Sequence, residues 1–296
     1  MVRAVRALAL LFLFAAGCSP LYAYRSAAGE AGLLWHRRSI ERTIADPVTP
    51  PGRRERFKLV LAARRFAVER LALSPSRDYS TWTPVDGAVT WLVYACSTTS
   101  LKPITFLGFP YKGHFRREWA EREAAAWTKK GYDAAVFAAA AFNTPLPISD
   151  PLPSSVLDDS TGSMVELLIH EFAHGTLGNE ESAPQWIGAH GAALFLRERF
   201  GEASPEFKEW TSDRDASEMR AARFDLLGRK LEVCYAAGAC DRAALFAASG
   251  IAGTLNNAVV AAHKVYRGDP AKLDTLFEAS GRDWPRFIAA LKKTHH

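Results

Sequence analysis

Apolar residues recur at helical spacing along most of the chain and at strand spacing in one stretch before its middle. Over residues 27–44, Leu33, Leu34, Ile40 and Ile44 fall on one side, the three-to-four-residue period of a half-buried helix. Asp46-Pro47-Val48-Thr49-Pro50-Pro51 ends it, since proline cannot continue a helix interior. A second helix carries Phe57, Val60, Leu61, Phe66, Val68 and Leu71, and the two predict a helical hairpin. Residues 89–95 are rich in β-branched and aromatic side chains, and residues 104–109 follow after the polar Ser97-Thr98-Thr99-Ser100. Both read as strands. Residues 116–130 predict an Ala- and charge-rich helix ended by Gly131, and residues 132–142 a further strand. The prolines at 145, 147, 151 and 153 make residues 143–160 a loop. From Gly162 onward the pattern is helical, over 161–176, 181–200, 206–232, 241–264 and 270–293. The expected fold class is α+β and mostly helical: one domain over 27–296, with a helix-and-sheet lobe (27–160) and a helical lobe (161–296).

The first residues read differently. Arg3 and Arg6 precede an apolar run over residues 7–16, too short to span a bilayer comfortably. It ends in Ala15-Ala16-Gly17-Cys18-Ser19. Small residues before a cysteine resemble the bacterial lipobox, with Ala15 where leucine is more usual. The resemblance implies a signal peptide over 1–17, a lipid on Cys18 and a tether over 18–26. It implies a protein of the bacterial cell envelope, lipid-anchored in the membrane through Cys18 and facing the periplasm. Ser19 in place of an aspartate points to the outer membrane.

The chain carries 37 basic and 32 acidic residues, and the segment 1–17 holds two of the basic ones. No basic stripe with interleaved aromatics appears, which argues against a nucleic-acid partner. Arg53-Arg54, Arg64-Arg65 and Arg116-Arg117 read as solvated helix faces or ends. Cys234 and Cys240 flank Tyr-Ala-Ala-Gly-Ala, and a disulfide closing this loop suits an oxidising compartment. Cys96 lies in an apolar run and reads as a core residue.

The candidate chemistry sits in His170-Glu171-Phe172-Ala173-His174. Histidines four apart on a helix share a face and can bind one ion, which points to one zinc ion as cofactor. Catalytic zinc takes three protein ligands and leaves a fourth position open. Glu171, next to the first ligand, can serve as the catalytic general base. Val165, Leu168, Ile169 and Phe172 form the stripe that anchors the helix. For the third ligand, Glu181, Glu180 and His190 are all candidates. Glu180 stands at the metzincin offset, but the metzincin glycine would fall on Leu177 and no fitting methionine turn follows. Glu181 shares a helix face with the small Gly188 and Ala192, which permits close approach.

In order along the chain, several pieces resemble a bacterial family of predicted aminopeptidases, lipoprotein-like gluzincins. They include Ile44-Ala45-Asp46-Pro47, Arg64-Arg65-Phe66-Ala67-Val68-Glu69, Phe109-Pro110-Tyr111-Lys112-Gly113, Gly131-Tyr132-Asp133, Asp150-Pro151 and the metal motif. Asn179 with its acidic pair, Asn256-Asn257-Ala258 and Asp283-Trp284-Pro285-Arg286-Phe287 complete the set. The resemblance implies His170, His174 and Glu181 as zinc ligands, because the family glutamate stands seven residues before a glycine, here Gly188. It also matches Tyr266 to a tyrosine whose phenol could bond a tetrahedral oxyanion; the other reading is a core aromatic. Asn256 and Asn257 either cap a helix or bind substrate backbone. Two departures flank the presumed cleft: a short stretch between His174 and Asn179, and Phe142-Asn143-Thr144-Pro145 after the last strand. Peptide hydrolysis at a zinc site is the function implied, with an aminopeptidase first. An endopeptidase or a non-catalytic envelope lipoprotein are the alternatives. An aminopeptidase needs an anion for the substrate α-amine, and Asp158, Asp159 and Glu180 are the candidates.

Overall fold

A computed structural model of the chain describes residues 20–140, 149–178, 180–238, 240–265 and 270–294. The elements in chain order are α1 (Pro20–Trp35), β1 (Arg38–Ser39), α2 (Ile40–Ala45), α3 (Pro51–Glu69), β2 (Thr81–Thr83), β3 (Thr90–Cys96) and β4 (Lys112–His114). Next come α4 (Arg117–Lys129), β5 (Asp133–Ala139), β6 (Leu152–Pro153) and a 3-10 turn (Ser154–Asp158). The rest is helical: α5 (Thr161–Leu177), α6 (Ser182–Phe200), α7 (Pro205–Ala236), α8 (Arg242–Ala247), α9 (Asn257–Val265), α10 (Pro270–Ala279) and α11 (Trp284–Thr294). The fold is α+β and mostly helical, with two small three-stranded sheets.

In one sheet β2 lies between β1, antiparallel, and β6, parallel. In the other, β3 lies between β4 and β5, both antiparallel. The β3–β5 register runs unbroken from Thr90 opposite Ala139 to Cys96 opposite Asp133. The main core surrounds α5. Leu168, Ile169 and Phe172 meet residues of α3, α6 and α11 there, so residues before and after position 160 share one core. A smaller cluster joins Tyr94 and Cys96 of β3 to Ala258, Ala261 and Ala262 of α9.

Several elements differ from the sequence expectation. Helix α1 already includes Pro20, the first described residue, and so runs through the described part of the span expected to be a tether. The helix expected over 27–44 is two helices, because Arg38 and Ser39 pair with β2 and the Ser39 side chain then caps α2 at the Arg42 amide, 3.2 Å away. The expected hairpin holds for α2, which packs on α3 through Ile40 and Ile44, whereas α1 packs on Phe106, His114 and Phe115. Residues 104–109 do not form a strand. The segment pairs with β3 only at its start, where the Ile104 amide bonds the Ala95 carbonyl at 2.8 Å and Pro103 bridges Cys96; it then folds back on itself through Leu107 and Gly108, both at positive φ, with Phe106 bridging Phe109. The helices expected over 241–264 and 270–293 are each broken in two. Arg64 is no solvated residue: it reaches the carbonyls of Asp78 (2.9 Å) and Ser76 (2.9 Å). Asn256 caps α9 at the Val259 amide, 3.0 Å away. Asn257 is fully buried, donating to Ser97 and Ser100 and accepting from the Tyr235 hydroxyl at 2.7 Å. Both asparagines are structural joints, not substrate contacts.

Cys96 is a core residue of the smaller cluster, as its apolar run predicts. Cys234 and Cys240 form a disulfide with Cα atoms 5.0 Å apart, and Cys96 is buried, its thiol pushed up to about 12 by burial and the Asp133 charge. Cys18 and Tyr266 lie outside the described residues, as do the segment 1–17 and Asn179. Among the described residues no helix is long and apolar enough to cross a membrane.

Gly162, in the first turn of α5, touches α7 so closely that a Cβ would stand 2.4 Å from Trp210 Cβ. Alanine has the better helix propensity by about 1 kcal/mol, yet overpacking costs about 1–3 kcal/mol. Because the clash is with Trp210 Cβ, which the backbone of α7 fixes, Gly162→Ala should destabilise the protein by up to about 2 kcal/mol, read as a lower denaturant midpoint at unchanged slope. An unchanged or higher midpoint would contradict this packing.

Candidate metal centre and its cleft

The metal motif lies on α5, and local chemistry sets that helix. The Ser160 side chain caps it by accepting from the Ser163 amide at 3.2 Å. Gly178 ends it at φ 91°, with its amide on the His174 carbonyl at 2.8 Å. Met164, Val165, Leu168, Ile169 and Phe172 bury one face, which leaves His170 and His174 on an adjoining one.

The two rings meet Nε2 to Nε2 at 3.1 Å. Glu181, at the start of α6, brings Oε2 to 3.6 Å from His170 Nε2 and 3.4 Å from His174 Nε2. That oxygen is buried and meets no hydrogen-bond donor among the described residues. His174 Nδ1 donates to the Gly178 carbonyl at 2.9 Å, so its neutral tautomer points a lone pair from Nε2 into the cluster. Two imidazole nitrogens and a carboxylate oxygen thus converge with space for one cation. No other group of His, Cys, Asp and Glu among the described residues does this. Two nitrogens and one oxygen are a donor set that suits zinc.

Electrostatics follow the same crowding. Burial pushes the His170 ring down to about 4, and the neighbouring His174 adds to the effect. Burial also pulls His174 down, but the closeness of Glu181, the Gly178 carbonyl and the Glu171 charge outweigh it, and its pKa is raised. Glu171 is 7% exposed. Burial lifts its carboxyl to about 7; His174 opposes this, and the charges of Glu181, Asp150 and Asp78 add to it.

The structure separates the three ligand candidates. Glu180 is engaged as a helix cap: it accepts from the Ser182 amide (2.9 Å), the Ser182 hydroxyl and the Ala183 amide (3.2 Å). His190 stacks on Trp186 at 3.7 Å and bonds the Trp186 carbonyl at 2.9 Å, apart from the cluster. Glu181 alone joins the histidines. Asp158, a candidate for an amine anchor, pairs with Arg53 at 2.8 Å, and Arg56 bonds the Asp159 carbonyl and the Thr161 hydroxyl.

Two features were not legible beforehand. Behind Glu171 lies a polar pocket of Tyr79, Asp78 and Asp150. Tyr79 is 2% exposed, its hydroxyl has no partner among the described residues, and burial with the charges of Glu171, Asp150 and Asp78 raises its pKa well above 10. Asp150-Pro151 was visible only as a sequence resemblance, and Tyr79 carried no signal. In front, a cleft of about 350 Å³ opens beside His170, lined by Glu166, Gln185, Trp210, Asp213 and Arg214 among others. Glu166 is held there by Trp210 Nε1 (2.7 Å) and Arg214 (2.9 Å). The disulfide is far from this cleft: Cys234 stands about 30 Å along α7 from Arg214 at 1.5 Å per residue.

Zinc titration of metal-stripped protein tests the separation. Glu181→Gln should weaken zinc binding by about 100-fold or more, while Glu180→Gln should change it less than about threefold. The reverse order would place the third ligand one residue earlier.

No curated protein and no solved structure matches the chain. A family model does, over residues 21–249, and that span contains both histidines and Glu181. It covers well over half of the sequence, and the chain belongs to the family described as Putative aminopeptidase.

Proposed function

We propose that this member of the family is a zinc-dependent aminopeptidase of the bacterial cell envelope. It would hold one zinc ion through His170, His174 and Glu181. The observation that carries the reading is the convergence of these three donors beside Glu171, with the Glu181 oxygen lacking any other partner.

Zinc at such a site supplies Lewis acidity, which polarises a carbonyl and makes water a better nucleophile at neutral pH. The protein's own groups do the rest. Glu171 takes a proton from the attacking water on a carboxylate oxygen and returns it to the leaving amine nitrogen as the C–N bond breaks. Its burial excludes bulk water from that exchange. The Gly178 carbonyl keeps the His174 ring in its ligating tautomer.

The cleft beside His170 is the natural seat for the substrate chain. Glu166 is already neutralised there by Arg214. Glu180, weighed as an anchor for the α-amine, is committed to capping α6. Asp213, exposed on α7 and lining the same cleft, takes that part in this reading. Tyr266 stays a candidate for the oxyanion on sequence resemblance alone.

Glu171→Gln should keep zinc stoichiometry near that of the wild type and lower kcat by about 100-fold to 10,000-fold. A panel of free and N-blocked peptides and aminoacyl arylamides reads the outcome. Cleavage of free substrates only supports the exopeptidase. Cleavage of blocked peptides at equal rates would replace it with an endopeptidase of the same chemistry. Near-normal kcat in the variant would remove Glu171 from the mechanism.

A further inference from the structure

Helix α1 is inside out for a helix facing water. Its charged side chains turn toward the body. Arg25 lies over the Trp119 ring at 4.5 Å, and Glu30 is half-buried, with Oε1 shielded and its pKa raised by burial. Tyr22 meets Phe106 and His114 edge to face, with centroids 5.2 and 5.5 Å apart. Gly29 rests on Phe115 so closely that a Cβ would fall 2.2 Å from the ring. These contacts fix which side of the helix faces outward.

The outward positions are Pro20, Leu21, Tyr24, three alanines and Trp35, with no charged residue among them. Leu21 is 53% exposed, Tyr24 71% and Trp35 86%. A surface helix ordinarily turns its polar face outward, so this side is built for something other than water. It runs about 24 Å at 1.5 Å per residue. A tyrosine near one end and a tryptophan at the other suit the headgroup region of a bilayer, where amphipathic rings concentrate. Arg37, exposed just beyond Trp35, supplies a cation for anionic phospholipid, while the next residue, Arg38, lies over the Trp82 ring at 5.5 Å.

We infer that α1 lies flat in the membrane interface and seats the peptidase body on the bilayer. The inference uses the reading of Cys18 as the lipidated residue and goes beyond the proposed activity. Only Ser19 separates Cys18 from Pro20, where the described part of α1 begins. A lipid on Cys18 therefore holds the first turn at headgroup level, with no slack for the body to swing away. A bilayer is favoured over a second copy of the chain because the chain end that carries the anchor leads directly into this face.

The cysteine content allows a direct test. Cys96 is buried and Cys234 is bonded to Cys240, so one introduced thiol labels alone. Tyr24→Cys, Ala28→Cys, Trp35→Cys and, as a control on α7, Met219→Cys (61% exposed) are labelled with an environment-sensitive fluorophore. The full lipidated chain is reconstituted in phosphatidylethanolamine and phosphatidylglycerol vesicles, with folding checked by circular dichroism. Labels on α1 should be quenched by nitroxide-bearing lipid and shielded several-fold from iodide, and the Met219 label should behave in the opposite way. Equal iodide access at all four sites overturns the inference. So does shielding without lipid quenching, which would mean that a second copy covers the face. The mass of the Cys18 peptide scores the lipid anchor separately. If that peptide is unmodified, the anchor reading fails and Cys18 is itself a thiol, so the labels are placed in a Cys18→Ser background and vesicles are added to that chain: an unchanged α1 spectrum overturns the helix placement.

Discussion

The site depends on how closely α6 lies on α5. At Gly188 a Cβ would stand 3.0 Å from both the Glu166 carbonyl oxygen and His170 Cβ. At Gly191 it would meet Leu71 at 2.7 Å and Ile169 at 3.0 Å. Larger residues would push the helices apart toward ordinary spacing, since packed helix axes separate according to the side chains between them. The first turn of α6 carries Glu181, so that spacing sets the distance from its carboxylate to the two rings. The histidines alone would remain a pair four residues apart on a helix. The third donor is a product of tertiary packing.

The same packing buries groups that a core ordinarily excludes. Glu171 of the metal helix is buried, and so are Asp150 and Tyr79, which lie close enough to act on one another electrostatically. Burying polar groups costs stability unless they find partners. Part of the support is visible: the Tyr79 amide bonds the Asp150 carbonyl at 2.8 Å, the Asp150 amide bonds Asp78 at 3.0 Å, and Arg64 holds the Asp78 carbonyl. Tyr79 is also held at φ 55°, a left-handed conformation that costs energy for a residue with a side chain. Strain and buried polarity gathered behind the presumed base are the pattern of a functional site, where local stability gives way to fixed positions.

The parts that could be read from sequence are those with local causes. The apolar stripe of α5, its caps and the histidine spacing follow from one helix's own periodicity. Glu181 was favoured over Glu180 through the small residues of α6, yet the decision needed the Glu180 side chain on the Ser182 and Ala183 amides. What escaped the sequence has non-local causes. Residues 104–109 have a strand's composition, but they leave β3 after the Ile104–Ala95 bond because Leu107 and Gly108 turn the chain back at positive φ. Arg64 has the look of a surface charge until the Ser76–Asp78 loop folds over it. Residues 20–26 looked like a tether because the partners of Tyr22, among them Phe106, Lys112 and His114, lie more than about 80 residues away in sequence. Tyr79 gave no signal, since neither its backbone angle nor its neighbours are encoded nearby.

The central claim is that Glu181, brought in by α6, completes a site with His170 and His174. X-ray absorption of the zinc-loaded protein tests it most directly. The account predicts two imidazole nitrogens and at least one carboxylate oxygen at about 2.0–2.2 Å, with no sulfur. In Glu181→Ala the carboxylate oxygen should leave the zinc environment while both imidazoles stay, and the His170→Ala, His174→Ala double variant should bind no zinc. Sulfur ligation, or a zinc environment unchanged in that double variant, would contradict the account.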